Sequence, residues 1–85
     1  MNTFTAISVP GPLRQAAKRF KVTKRELEVL VLLCEGEPWK GIQDKLGIHQ
    51  STVRFHCHNL CAKTKAANPI MALAVILLRP VHSHS

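Results

Sequence analysis

From Thr23 to Leu78, apolar residues return every three or four positions, the spacing of helices that each bury one face. Leu27, Leu30, Val31 and Cys34 mark the first such helix. At its start, Thr23-Lys24-Arg25-Glu26 has the form of a capping box, in which the Thr and Glu side chains satisfy each other's free backbone N–H groups. Gly36 supplies a left-handed stop. Pro38 suits the first position of a second helix, predicted from about Pro38 to Leu46 with Ile42 and Leu46 turned inward. Gly41 inside that helix costs about 1 kcal/mol relative to Ala. A third helix follows Gly47 and Ile48 and runs to about Lys65, burying Val53, Cys57 and Leu60. Its start lies between His49, a poor cap, and Ser51, a good one. Asn68 and Pro69 open a fourth helix, which Arg79-Pro80 closes.

The ends are less regular. Residues 1–21 read as a flexible basic lead, with Val9-Pro10-Gly11-Pro12 blocking regular structure. Leu13, Ala16, Ala17 and Phe20 fall at helical spacing, so residues 13–20 form either a short packed helix or a basic linker. Residues 80–85 read as a disordered tail, which leaves 22–79 as one folded domain. The fold class is all-α, with four helices and room for an extra short N-terminal one.

The two middle helices carry the pattern with functional content. A short helix, a tight turn at Gly47 with apolar Ile48 beside it, and a second helix with Val53 inward make a helix-turn-helix spacing. Ile42, Leu46, Ile48 and Val53 would lock the pair at a fixed angle and present the first turns of the second helix to a DNA groove. On that helix, Arg54 and His58, and a turn later Ala62 and Lys65, share the face opposite the core positions.

Charge agrees with a polyanionic partner. Twelve Lys+Arg against five Asp+Glu give 85 residues a formal charge of +7. Between Leu13 and Arg25 there are six cations and no acid, whereas all five acids lie between Glu26 and Asp44. Three cysteines, an odd number, argue against a disulfide framework and for a reducing compartment, with Cys34 and Cys57 read as core. No signal peptide is evident, and the apolar run Ile70–Leu78 is short of the roughly 20 residues that span a bilayer. A cytoplasmic protein is expected.

The wording then becomes specific. Thr23-Lys-Arg-Glu-Leu-Glu-Val-Leu, Glu35-Gly36, Lys40, Ile42, Leu46-Gly47-Ile48, Thr52-Val53-Arg54, His56, Asn59-Leu60 and Lys63 resemble the C-terminal DNA-binding domain of the LuxR family, also called the GerE or NarL/FixJ type. The resemblance runs ungapped through Lys63 and covers roughly Val22 to Leu78. It implies a bacterial transcription regulator whose third domain helix reads DNA and whose fourth forms a dimer. The family's base-reading positions fall on Arg54, Phe55 and His58, and those near phosphate on Ser51 and Thr52. Arg54 can bond guanine bidentately and Phe55 can touch a thymine methyl. Lys40, Lys45, Lys63 and Lys65 read as phosphate contacts that set register. Where the family often carries a permanent cation, this chain has His58, and Phe55 beside it makes the reading surface less cationic than usual.

The fourth helix, Ile70-Met-Ala-Leu-Ala-Val-Ile-Leu-Leu, is apolar all round, although a helix on a small domain has one face to bury. A homodimer through Ile70, Leu73, Ala74 and Leu77 is expected. No room is left for a fused receiver or sensor domain, so the reading is a stand-alone regulator of double-stranded DNA. The rival is a protein-binding adaptor or anti-regulator that keeps the fold and grips another regulator through Phe55, Trp39 or the last helix. His56, Cys57, His58 and Cys61 are dense enough to suggest zinc, but they do not share one face and include no C-x-x-C. No metal, cofactor or catalytic group is expected.

Overall fold

The computed structural model describes residues 8–78. It contains five α-helices, α1 (Gly11–Lys18), α2 (Lys24–Cys34), α3 (Trp39–Leu46), α4 (Gln50–Thr64) and α5 (Pro69–Leu78), and no strand among the described residues. The lead before residue 8 and everything after residue 78, the expected Arg79-Pro80 stop included, lie outside that range.

The arrangement is built around α2. Seven consecutive residues, Glu26 to Leu32, are buried, so this helix is covered on both sides. One side, Leu27, Leu30 and Val31, packs with Leu13 and Ala17 of α1, Leu60 of α4, and Ala72 and Ile76 of α5. The other, Val29 and Leu32, packs with Ile42 and Leu46 of α3 and with Val53 and Cys57 of α4. The helix-turn-helix pair is thereby mounted on α2, while α1 and α5 close the opposite side. At full burial each large apolar side chain contributes about 1.5–3 kcal/mol, so the two clusters supply most of what orders the chain.

Two charges ride into this interior. The capping box at the start of α2 forms as expected: Glu26 N donates to Thr23 Oγ1 (3.1 Å) and Thr23 N donates to Glu26 Oε1 (2.9 Å). The Glu26 side chain is only 4% exposed, and Lys63 of α4 neutralises it, with Nζ at 2.8 and 3.1 Å from the two carboxylate oxygens. The same ammonium donates to the Lys21 carbonyl at 3.0 Å. Its three protons are thus committed within the fold. Glu28, also buried, pairs with Arg25 at 3.1 Å.

Helix ends explain how so short a chain turns so often. The first four helices stop at a residue with positive φ: Lys21 (59°), Gly36 (88°), Gly47 (65°) and Lys65 (57°). At each stop the next N–H reaches back five residues, as from Val22 to Ala17 O, Glu37 to Leu32 O, Ile48 to Gln43 O and Ala66 to Cys61 O. Glycine accepts this conformation at little cost. Lysine there is held against a steric penalty of about 1–2 kcal/mol.

Several expectations are corrected. The Pro10-Gly11-Pro12 stretch does not block structure but opens α1, because a proline in a first turn lacks an N–H that would have no helical partner anyway. Of the two readings for residues 13–20, the packed helix holds: it spans Gly11–Lys18 and buries Leu13 and Ala17. Pro38 is the N-cap of α3, extended at ψ 162°, rather than its first helical residue. The start of α4 is settled one way, with His49 as N-cap and no side-chain capping bond. Asn68 caps α5 as expected, its Oδ1 accepting from Met71 N at 2.9 Å.

Cys34 is exposed, not core. It sits at the end of α2, where it lines an open groove of about 360 Å³ with Ser8, Leu13, Leu30, Val31 and Leu73. Cys57 is buried as expected, and desolvation, with Cys61 beside it, pushes its thiol up to about 11. Thr64 fills a buried position by donating its hydroxyl to Leu60 O at 2.9 Å.

Two outcomes follow from the buried polar groups. Lys63→Met strands the Glu26 carboxylate and should cost about 3–5 kcal/mol in urea unfolding, whereas Glu26→Gln with Lys63→Met should cost clearly less than the sum of the single changes. The Cys57 proton is held to about pH 11 in the fold but leaves near the ordinary 9.0 once the chain unfolds. Stability contributed by the neutral thiol is therefore complete below pH 9 and declines from pH 9 to 11. Thermal melts across that window should show the decline, and Cys57→Val should reduce it.

Candidate nucleic-acid interface

The turn Leu46-Gly47-Ile48-His49 sets the geometry of the interface. Gly47 adopts φ 65°, and Ile48 N donates to Gln43 O at 3.1 Å, closing the end of α3. Ile48 packs on the cluster formed by Ile42, Leu46 and Val53, so α4 leaves the turn at an angle fixed by apolar contacts. With Val53, Cys57, Leu60 and Thr64 buried, the other side of α4 faces solvent.

The expected reading residues lie on that free side. Arg54, Phe55 and His58 are exposed, Phe55 to 60%. Arg54 makes no ion pair among the described residues. Together with His49, Gln50 and Ser51 it borders a shallow depression of about 340 Å³ at the helix start. Thr52 N and Val53 N both donate to His49 O, at 3.0 and 3.1 Å, whereas the N–H groups of Gln50 and Ser51 have no protein acceptor among the described residues. An uncapped helix start of this kind carries partial positive charge and free donors, which is what a phosphate oxygen requires. His56 is turned partly inward, its ring 6.0 Å from that of Phe55.

The lysines expected near phosphates divide. Lys40 is highly exposed and only loosely paired with Asp44, at 3.8 Å. Lys65 is exposed at the left-handed end of α4. Lys45 makes a close pair with Glu37, at 2.6 Å, and that carboxylate raises its pKa. To reach Lys45 the Glu37 side chain lies across Gly41, where a Cβ would collide with its Oε1. The glycine that looked like a weak point inside α3 is what gives this bridge its path. Lys63 differs from the rest: its ammonium is engaged by Glu26 and Lys21 O and serves the fold.

On α5, Ala72 and Ile76 are fully buried and Leu73 packs against the first cluster. Ile70, Met71, Leu77 and Leu78 are at least half exposed, and Ala74 is exposed between them. Of the four positions expected at a dimer contact, Ile70, Ala74 and Leu77 share this outer stripe, while Leu73 turns toward the core. Met71 and Leu78 extend the stripe instead.

Among the described residues, no three His, Cys, Asp or Glu side chains converge as metal ligands. Burial raises the thiol pKa of Cys57 and Cys61, and burial with the Glu35 charge raises that of Cys34. No single described helix is long and apolar enough to cross a membrane.

Comparison with known proteins bears on the same residues. The profile of the luxR family of bacterial regulatory proteins (GerE) matches residues 21–76, well over half of the chain. No curated protein and no solved structure gives a significant match. The profile match begins at Lys21, so α1 precedes it, and it takes in α2 through most of α5. With its helix-turn-helix pair and solvent-facing α4, the chain belongs to the LuxR family, whose domain is a non-enzymatic DNA-binding module of transcriptional regulation.

Proposed function

We propose that this chain is a sequence-specific regulator that binds double-stranded DNA as a dimer, with α4 in the major groove. The observation that carries the reading is the start of α4, where unpaired Arg54, exposed Phe55 and the free N–H groups of Gln50 and Ser51 stand together in solvent. Arg54 reads guanine, Phe55 packs on a thymine methyl, and His58 contacts the next base along. Ser51, Thr52, Lys40 and Lys65 take phosphates and set register. Lys45 joins them only by giving up Glu37, and Lys63 is left out because its protons are spent.

The dimer forms through the outer stripe of α5, Ile70, Met71, Ala74, Leu77 and Leu78. Apolar surface grouped in this way is costly to leave in water. Two-fold pairing implies a near-palindromic site with half-sites roughly 10 bp apart.

Selection of bound fragments from random DNA tests the reading. A near-palindromic sequence should be enriched, and Arg54→Ala should cost about 1–3 kcal/mol on that sequence and relax preference at one base pair. Absence of any enriched sequence, with a protein recovered as the tight ligand, would establish the adaptor reading instead. Separately, Leu77→Asp should convert a dimer to a monomer in sedimentation while leaving the helical content intact. An unchanged mass would remove α5 as the interface.

A further inference from the structure

The cations near the N-terminus are gathered by the turn at Lys21. Because α1 ends there in a left-handed residue and the chain reverses into α2, Arg14 and Lys18 of α1 and Lys24 of α2 surround a single cleft of about 210 Å³. Its floor is Val22 and the buried Leu27, which is 3% exposed. Three of the five residues bordering it are cations, yet the lining is apolar. The aliphatic stems form the walls, and the charged heads stand at the rim.

These charges lack local compensation. Arg14, Lys18 and Lys24 make no ion pair among the described residues, whereas Arg25, Lys40, Lys45 and Lys63 each have one. No acid occurs between Leu13 and Arg25. The nearest one, Glu26, is buried and held by Lys63. Three like charges around an apolar hollow repel one another, and an anion that also fills the hollow relieves both costs.

The shape decides between two kinds of anion. A phosphodiester backbone would use the cations but leave half-buried Val22 and the aliphatic stems around it wet. The position also separates the cleft from the reading turns of α4. Lys63, which bonds the Lys21 carbonyl, lies nine residues after Arg54, about 13 Å along the helix. We propose that the α1–α2 cleft docks an acidic protein segment, which places one apolar side chain in the hollow and carboxylates against Arg14, Lys18 and Lys24. Two of the cleft's five bordering residues, Arg14 and Lys18, come from α1 and so lie outside the matched family region, residues 21–76. The cleft would let the regulator hold a protein while α4 stays on DNA.

Fluorescence anisotropy on the full chain tests this with three synthetic peptides and a short duplex of scrambled sequence. The first peptide is a single Leu flanked by Glu on both sides, the second has Ser for that Leu, and the third has Lys for every Glu. The Leu–Glu peptide should bind at least about tenfold tighter than the Ser version, and the Lys version should not bind. Amide shifts should centre on Val22 and Leu27. Arg14→Glu with Lys18→Glu, both on the exposed side of α1, should weaken the Leu–Glu peptide by about tenfold or more with the thermal melt retained. Lys24→Gln gives a milder version of the same loss should that pair fail to fold. Arg54→Ala should leave peptide binding unchanged. Equal binding of the Leu and Ser peptides, or no binding of either, would overturn the proposal. So would a loss confined to the scrambled duplex in the charge-reversed variant, which would make the cleft a phosphate contact.

Discussion

One carboxylate holds the fold together at its most crowded point. Glu26 closes the capping box that starts α2 and accepts two hydrogen bonds from Lys63 of α4, and the same ammonium clamps the carbonyl of Lys21 where α1 stops. Three helices are thereby fixed at a single site. The pair is nearly dry on the Glu26 side, so removing either partner is costly, although the pair itself need contribute little beyond an apolar substitute. What it supplies is register: α4 can slide neither along α2 nor away from the α1 stop without stranding a charge. Because α4 is also the helix proposed to enter the groove, the position of its first turns depends on an ion pair at its other end.

Burial of α2 on both sides is the second constraint. Apolar positions at Leu27, Leu30 and Val31 serve α1 and α5, while Val29 and Leu32 serve α3 and α4. A helix used in this way acts as a shared wall, with α3 and α4 on one side of it and α1 and α5 on the other. The division matches the family boundary only in part, since α1 packs against α5 and α2 as an integral piece of the second side.

Much of this was legible in the residues. Thr23 and Glu26 announce a helix start through a reciprocal bond that few other pairs can make, and Gly36 and Gly47 announce left-handed stops. The solvent-facing side of α4 followed from periodicity, since fixing Val53, Cys57 and Leu60 inward leaves Arg54 and His58 outward. Other features left no local signal. Lys21 and Lys65 stop helices as glycines do, but a lysine carries no mark of positive φ; only the packing around it imposes one. The bond from Lys63 to Glu26 was hidden because the two lie 37 positions apart, a separation that local pattern does not reach. Cys34 fits the apolar period of α2 yet ends exposed, because periodicity shows which side of a helix is apolar and not how far along it the neighbours extend. On α5, where every position is apolar, the pattern had no contrast from which to pick a face, and only the packing shows that Leu73 turns toward the core. The Glu37–Gly41 contact was hidden for another reason: a glycine inside a helix reads as a cost unless the side chain crossing it is known.

The packing of α1 has a consequence for where the domain is taken to begin. A fragment cut at residue 21, where the family match starts, would keep α2 to α5. It would also lose Leu13 and Ala17 and lay bare parts of Leu27, Leu30 and Ile76 that the helix now covers. That new surface would adjoin the apolar stripe of α5 and enlarge it. Self-association of such a fragment would then report a trimming artefact, and its oligomeric state would be a poor guide to that of the whole chain.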